Sequence, residues 1–207
     1  MTSQTQEPTL VLPARGDSIR IVPLHLPDEL AAPRPAAPQL TYRGGPLLSS
    51  VEVFTVFWGP AWRRPPQSDL ADSLNQFFQF IVTSPLLDQL AEYNVPGGPQ
   101  IGHGTYTGTT TITTPRLHHT VSDHAIQHML EHEISTNDAF PQPTPNTLYF
   151  VYLPPGVAVV QGGARSCQVF CGYHSDIDGQ VFYAVMPFPG CAGCAGGLAT
   201  LDALTAT

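Results

Sequence analysis

Apolar positions along this chain gather into two kinds of run with different periods. Ser50 to Trp58 (SVEVFTVFW) is rich in β-branched and aromatic residues and apolar on both faces from Val53 onward, which predicts a strand in the middle of its sheet. Thr147 to Leu153 (TLYFVYL) predicts a second strong strand, and the threonine-dense stretch Thr105 to Thr114 an extended segment or strand. Two shorter strands, near Ser166 to Cys171 and Val181 to Met186, flank Asp178-Gly179, a hairpin signal. Helical periodicity is clearest where Leu70, Leu74, Phe77, Phe78 and Ile81 recur at i, i+4, i+7, i+8 and i+11, with Ser68 as the expected N-cap. Ser84-Pro85 opens a second helix to about Tyr93 by the cap-then-proline rule, and Asp123 to Ile134 reads as a third. Leu198, Leu201 and Leu204 look like the start of an amphipathic helix, expected to continue past Thr207.

Interleaved strands and helices predict an α/β fold, a single domain over residues 41–207 with a mixed sheet of about five strands and three to four helices. Proline (22) and glycine (18) imply many turns, so the domain should be loop-rich. Residues 1–40 differ in kind. Their stretch from Pro23 to Pro38 is dense in proline and alanine and predicts a disordered or extended tail. Met1 to Leu10 has neither a basic n-region nor an apolar h-region, so export is expected to use a leader not contained in these residues, and no membrane insertion is expected.

Charge narrows the chemistry. The 16 acidic and 8 basic residues give a net charge of −8, and the absence of a basic stripe argues against a nucleic-acid partner. All eight basic residues are arginines, which removes Schiff-base chemistry, a lysine general base and a lysine-bearing phosphate loop. There is no Gly-x-Ser-x-Gly elbow, and Gly102-His-Gly-Thr-Tyr-Thr-Gly108 lacks the strand-to-helix setting that a dinucleotide fingerprint requires. Asp176-Ile-Asp178-Gly179 resembles the start of a calcium loop without its later acidic ligands, so a tight turn is the better account.

Six of the eight histidines lie between His103 and His132. Within the third helix, His128-Met-Leu-Glu131-His132 matches the inverted zincin pattern, in which two histidines one turn apart hold zinc and the glutamate polarises water. A helical wheel sets His124, His128, Glu131 and His132 opposite the apolar stripe of Ile126, Met129, Leu130 and Ile134. The expectation is therefore a solvated polar face, and His128, Glu131 and His132 stand as the alternative zinc candidates. No glutamate follows Glu133 to complete an inverted zincin site.

All four cysteines fall late in the chain, as Cys167-x₃-Cys171 and Cys191-x₂-Cys194. Two close pairs with a strand between them suit a zinc ribbon, although ribbon knuckles usually need Cys-x₂-Cys in both. Low charge and a turn-rich, threonine-rich composition suit an exported protein, where disulfides are the default. A free Cys171 beside His174 would be a nucleophile, but a second cysteine four residues earlier favours a bonded or liganded thiol.

Four motifs in order carry a family resemblance: Tyr42-Arg-Gly-Gly-Pro-Leu-Leu48, Phe57-Trp58-Gly59-Pro-Ala-Trp62, Ser166-Cys-x₃-Cys171-Gly-Tyr-His174 and Pro189-Gly-Cys191-x₂-Cys194. Together, from residue 42 to about 196, they resemble the plant Exordium and phosphate-induced protein family and its microbial secreted relatives. The chain departs from that pattern where Pro-Gly precedes Cys191 instead of lying between the last two cysteines. The resemblance implies an extracellular component of the cell surface or wall, with Cys167, Cys171, Cys191 and Cys194 in structural disulfides and no catalytic mechanism established for the plant members. Three connectivities are open, and pairing across the clusters is expected over two tiny loops. The alternative is the front part of a secreted zinc peptidase whose metal motif lies beyond Thr207.

Overall fold

The computed structural model describes residues 42–206, so the expected N-terminal tail lies outside the described residues. Among the described residues are eight strands: β1 (Glu52–Trp58), β2 (Thr105–Ile112), β3 (Thr120–Ser122), β4 (Thr147–Tyr152), β5 (Ala158–Gln161), β6 (Ala164–Arg165), β7 (Tyr173–Ile177) and β8 (Val181–Met186). Four α-helices accompany them: α1 (Gln67–Ile81), α2 (Asp123–Thr136), α3 (Ala192–Ala195) and α4 (Thr200–Ala206).

Five strands form the main sheet in the order β2-β1-β4-β8-β7. The pairs β1·β2, β1·β4 and β4·β8 are parallel, and β7 closes one edge antiparallel to β8. This is the expected α/β class with a mixed sheet. A second sheet, β3-β5-β6, is not legible in the sequence, because its three strands are only two to four residues long and carry no readable period.

The doubly apolar run of β1 does what its composition implies: every residue from Val53 to Trp58 is buried, on both faces of an interior strand. Alternate residues meet different helices. Val53, Phe57, Tyr152 and Met186 pack against Ala71, Leu74 and Phe78 of α1 and Leu204 of α4. Phe54, Val56, Trp58, Tyr149, Val151 and Val185 pack against Ile126, Met129 and Leu130 of α2. The buried Thr55 hydroxyl donates to Asn75 Oδ1 at 2.7 Å, which fixes α1 over β1.

Several local expectations shift. Helix α1 starts at Gln67 after Pro66, with no side-chain cap, so Ser68 is inside the first turn. The segment after Ser84-Pro85 winds as a 3₁₀ helix, Leu87–Tyr93, with no buried residue; lacking an apolar face to bury, it gains nothing from a full α-helical stripe. The α4 helix begins at Thr200 and leaves Leu198 half exposed outside it.

The expected strand at Ser166 to Cys171 is instead a turn. Gln168 and Val169 N–H both donate to Arg165 O, and the Ser166 hydroxyl accepts from Val159 N at 2.9 Å, so the chain folds back on β5. The hairpin at Asp178-Gly179 is present, with both residues at positive φ (52° and 69°), and its first strand is β7.

Candidate functional site: a disulfide-edged groove and a histidine face

Cys167 bonds Cys191 and Cys171 bonds Cys194, with Cα separations of 5.8 and 5.3 Å. The hairpin explains the pairing. Antiparallel β7 and β8 place the chain entering Tyr173 beside the chain leaving Val185, so cysteines just before one strand and just after the other meet. Each bond spans a similar stretch, 24 and 23 residues, so they act as parallel staples on one loop. By chain entropy a closed loop of that size is worth about 3.5 kcal/mol, and the second bond adds less because the first has already closed it.

The staple sits at the rim of an apolar groove of about 580 Å³. Its floor is Leu148 and Phe150 of β4 with Phe182 and Ala184 of β8, and Phe77 and Ile81 of α1 form one wall. Leu204 and Thr205 of α4 close one end, and Gly172 to Ser175, directly after Cys171, form the opposite edge. The groove exists because α1 covers the β2 and β1 side of this sheet face while α4 is a single short helix, leaving Leu148 and Phe150 of β4 and Phe182 of β8 only partly covered. Polar side chains are sparse: the exposed His174 imidazole and Ser175 on one rim, the Thr205 hydroxyl on the other, and Tyr173 and Tyr183, whose hydroxyls donate to Asp123. The Thr205 hydroxyl also donates back to Leu201 O.

The histidines lie on the exposed face where the wheel places them. Ile126, Met129 and Leu130 are buried, and His124, His128 and His132 are exposed along the opposite side of α2. The three imidazoles nonetheless line a recess of about 600 Å³ that Thr114 and Pro115 wall on the far side. His128 Nε2 is 3.0 Å from His124 Nε2, and His128 Nδ1 is 3.3 Å from Glu131 Oε2. Of the inverted zincin set, His128 and Glu131 are in contact, and the closest imidazole partner of His128 is His124.

A partly buried polar cluster links α2 to the edge hairpin. Asp123 Oδ1 accepts from the Tyr173 and Tyr183 hydroxyls at 2.7 and 2.8 Å, while Gln127 Nε2 donates to Asp123 Oδ2 and to the Tyr183 oxygen. Burial, joined by the hydrogen bond to Asp123, raises the Tyr173 phenol well above its ordinary value, and the Tyr183 phenol is raised with burial as the largest cause. Sequence reasoning missed this cluster, since its members lie 50 and 60 residues apart and no local pattern joins them.

The crevice where doubly wound sheets most often seat a ligand, between the ends of β1 and β4, is filled. Gly59, at φ 123°, follows β1, and a Cβ there would meet Leu117 Cδ2 and Pro154 Cγ at 3.2 Å each. Trp58 Nε1 donates to Pro115 O alongside, and Trp62 is buried against Phe57 and Tyr152. Among the described residues, the groove over β4 and β8 and the recess beside α2 are two concave surfaces that carry chemistry-bearing side chains. No family model, curated protein or solved structure matches the chain. No helix among the described residues is long and apolar enough to cross a membrane.

Proposed function

We propose that this chain works outside the cytosol as a disulfide-stapled, Exordium-like domain of the cell surface or wall, and that the groove over β4 and β8 is its working surface. The observation that carries this is the position of the staple. Cys171, bonded to Cys194, immediately precedes Gly172, Tyr173 and His174, which form the groove's edge, so the bonds hold the rim of the recess rather than a remote loop. A domain whose rim needs covalent fixing belongs in an oxidising compartment, where such bonds persist.

Size and polarity indicate the occupant. A recess of about 580 Å³ matches the roughly 300–1,000 Å³ of small-molecule sites. Its carbon-lined floor with one imidazole at the rim fits a small amphipathic molecule, its apolar body on Phe150 and Phe182 and its polar end at His174. The test is titration of the oxidised chain with a fluorescent single-chain amphiphile. One-to-one binding that is lost in Thr205→Trp, which fills the groove end, is the expected result. Binding unchanged in that variant would overturn the groove as the site, and free thiols in the chain recovered from its producing cells would overturn the extracellular assignment.

A further inference from the structure

We infer that His124 and His128 form a chelating site for a first-row divalent ion, best matched by Cu(II), with Glu131 as the group that orients one imidazole. Helix α2 is what makes this geometry available. Residues one turn apart share a face, and the apolar stripe of Ile126, Met129 and Leu130 anchors that helix so that the two rings project together into the recess beside Thr114 and Pro115.

The two imidazole nitrogens stand close enough to share one proton, or to take one metal ion in its place. The Nε2 atoms are 3.0 Å apart, with the rings edge-on at 69° and their centroids 4.2 Å apart. Glu131 Oε2 lies 3.3 Å from the other nitrogen of His128. A carboxylate there favours the tautomer with the proton on Nδ1, which leaves the His128 Nε2 lone pair to accept from His124 in the metal-free chain or to bind a metal. That is the arrangement of a metal-ligating histidine backed by a carboxylate.

The donor type selects the ion. Two exposed imidazoles one helical turn apart reach a shared metal about 2.0–2.1 Å from each nitrogen by small side-chain rotations. Among first-row divalent ions such a nitrogen pair binds Cu(II) most tightly. Solvent in the recess would complete the coordination. This differs from the inverted zincin pattern, which would use His128 with His132 and make Glu131 a catalytic base.

The experiment is Cu(II) titration of the untagged, oxidised chain by calorimetry, with electron paramagnetic resonance of the loaded protein, and a His124→Ala/His128→Ala double variant to define binding by the remaining histidines and the amino terminus. Expected are one Cu(II) above that background, a spectrum with two equatorial nitrogens falling to one in either single variant, and at least a tenfold affinity loss in each. Glu131→Gln should weaken binding about tenfold, and His132→Ala should stay within about twofold. Zinc should bind more weakly than copper. No binding above the double variant, or a loss in His132→Ala equal to that in His124→Ala, would overturn the site; wild-type affinity in Glu131→Gln would overturn the role of the carboxylate. Circular dichroism of these surface variants checks that each is folded.

Discussion

The Tyr173 hydroxyl donates to Asp123 Oδ1 at 2.7 Å, joining the first turn of α2 to the edge strand β7 across 50 residues of sequence. Tyr183 shares the same oxygen from the neighbouring strand, so one carboxylate holds both strands of the hairpin against the helix. Removing it should uncouple them. Asp123→Ala leaves two largely buried phenols without their acceptor and is expected to destabilise the chain by about 2–4 kcal/mol, against about 1 kcal/mol for Tyr173→Phe, which removes one donor and leaves Asp123 paired. Urea unfolding of the two variants measures the difference, and equal losses would show that the carboxylate carries no shared load.

The tyrosines predict an alkaline limit to stability. Burial raises the Tyr149 and Tyr152 phenols far above their ordinary value, and Tyr173 and Tyr183 are raised as well. The unfolded chain therefore gives up these protons near pH 10 while the folded chain keeps them. Protons are then in excess on the native state, so stability is fully present below about pH 10 and falls as pH rises beyond it. Ultraviolet absorbance titration should show the phenolates of Tyr149, Tyr152, Tyr173 and Tyr183 appearing only with unfolding.

The two disulfides should be strongly non-additive. Replacing either Cys167 with Cys191, or Cys171 with Cys194, by serines leaves the other bond to close nearly the same loop, and each change should lower stability by no more than about 1–2 kcal/mol. Losing both should cost about 3.5 kcal/mol or more. Thermal melts of the three variants decide this, and additive effects would show that the bonds constrain different segments.

Trp62 offers a less obvious test. Its ring is buried against Phe57 and Tyr152, yet its Nε1 is a buried donor with no hydrogen-bond partner. Trp62→Phe removes that unsatisfied donor, worth about 1–3 kcal/mol, while leaving a smaller cavity than truncation to alanine. The net change is expected within about 1 kcal/mol, whereas Phe57→Ala should lose about 3–5 kcal/mol. Chemical denaturation of both variants separates the two contributions.

Elements with long, strong periods are legible from the order of residues alone. The doubly apolar β1, the β4 run, and the stripes of α1 and α2 appear close to their expected bounds, because each pattern reflects burial that only one kind of element satisfies. Short segments are not. The 3₁₀ helix Leu87–Tyr93 and the turn at Ser166 to Cys171 carry ordinary start signals, but their fate depends on whether a neighbour offers a surface to pack on. The groove is equally hidden, since Leu148, Phe150 and Phe182 look locally like core positions, and only the layout of α1 and α4 leaves them partly covered.

By itself the sequence determined the class of fold, the central strand, the sidedness of α2 and the late clustering of the cysteines, because these depend on local period and composition. Tertiary structure alone decided which cysteine meets which, that Asp123 binds two distant tyrosines, that His124 and not His132 stands nearest to His128, and that the usual ligand crevice is filled by Leu117 and Pro154. The physical reason is common to all four. Each is a meeting of short-range groups, settled within a few ångströms, whose partners are brought together by strand order and helix docking rather than by anything written beside them in the chain.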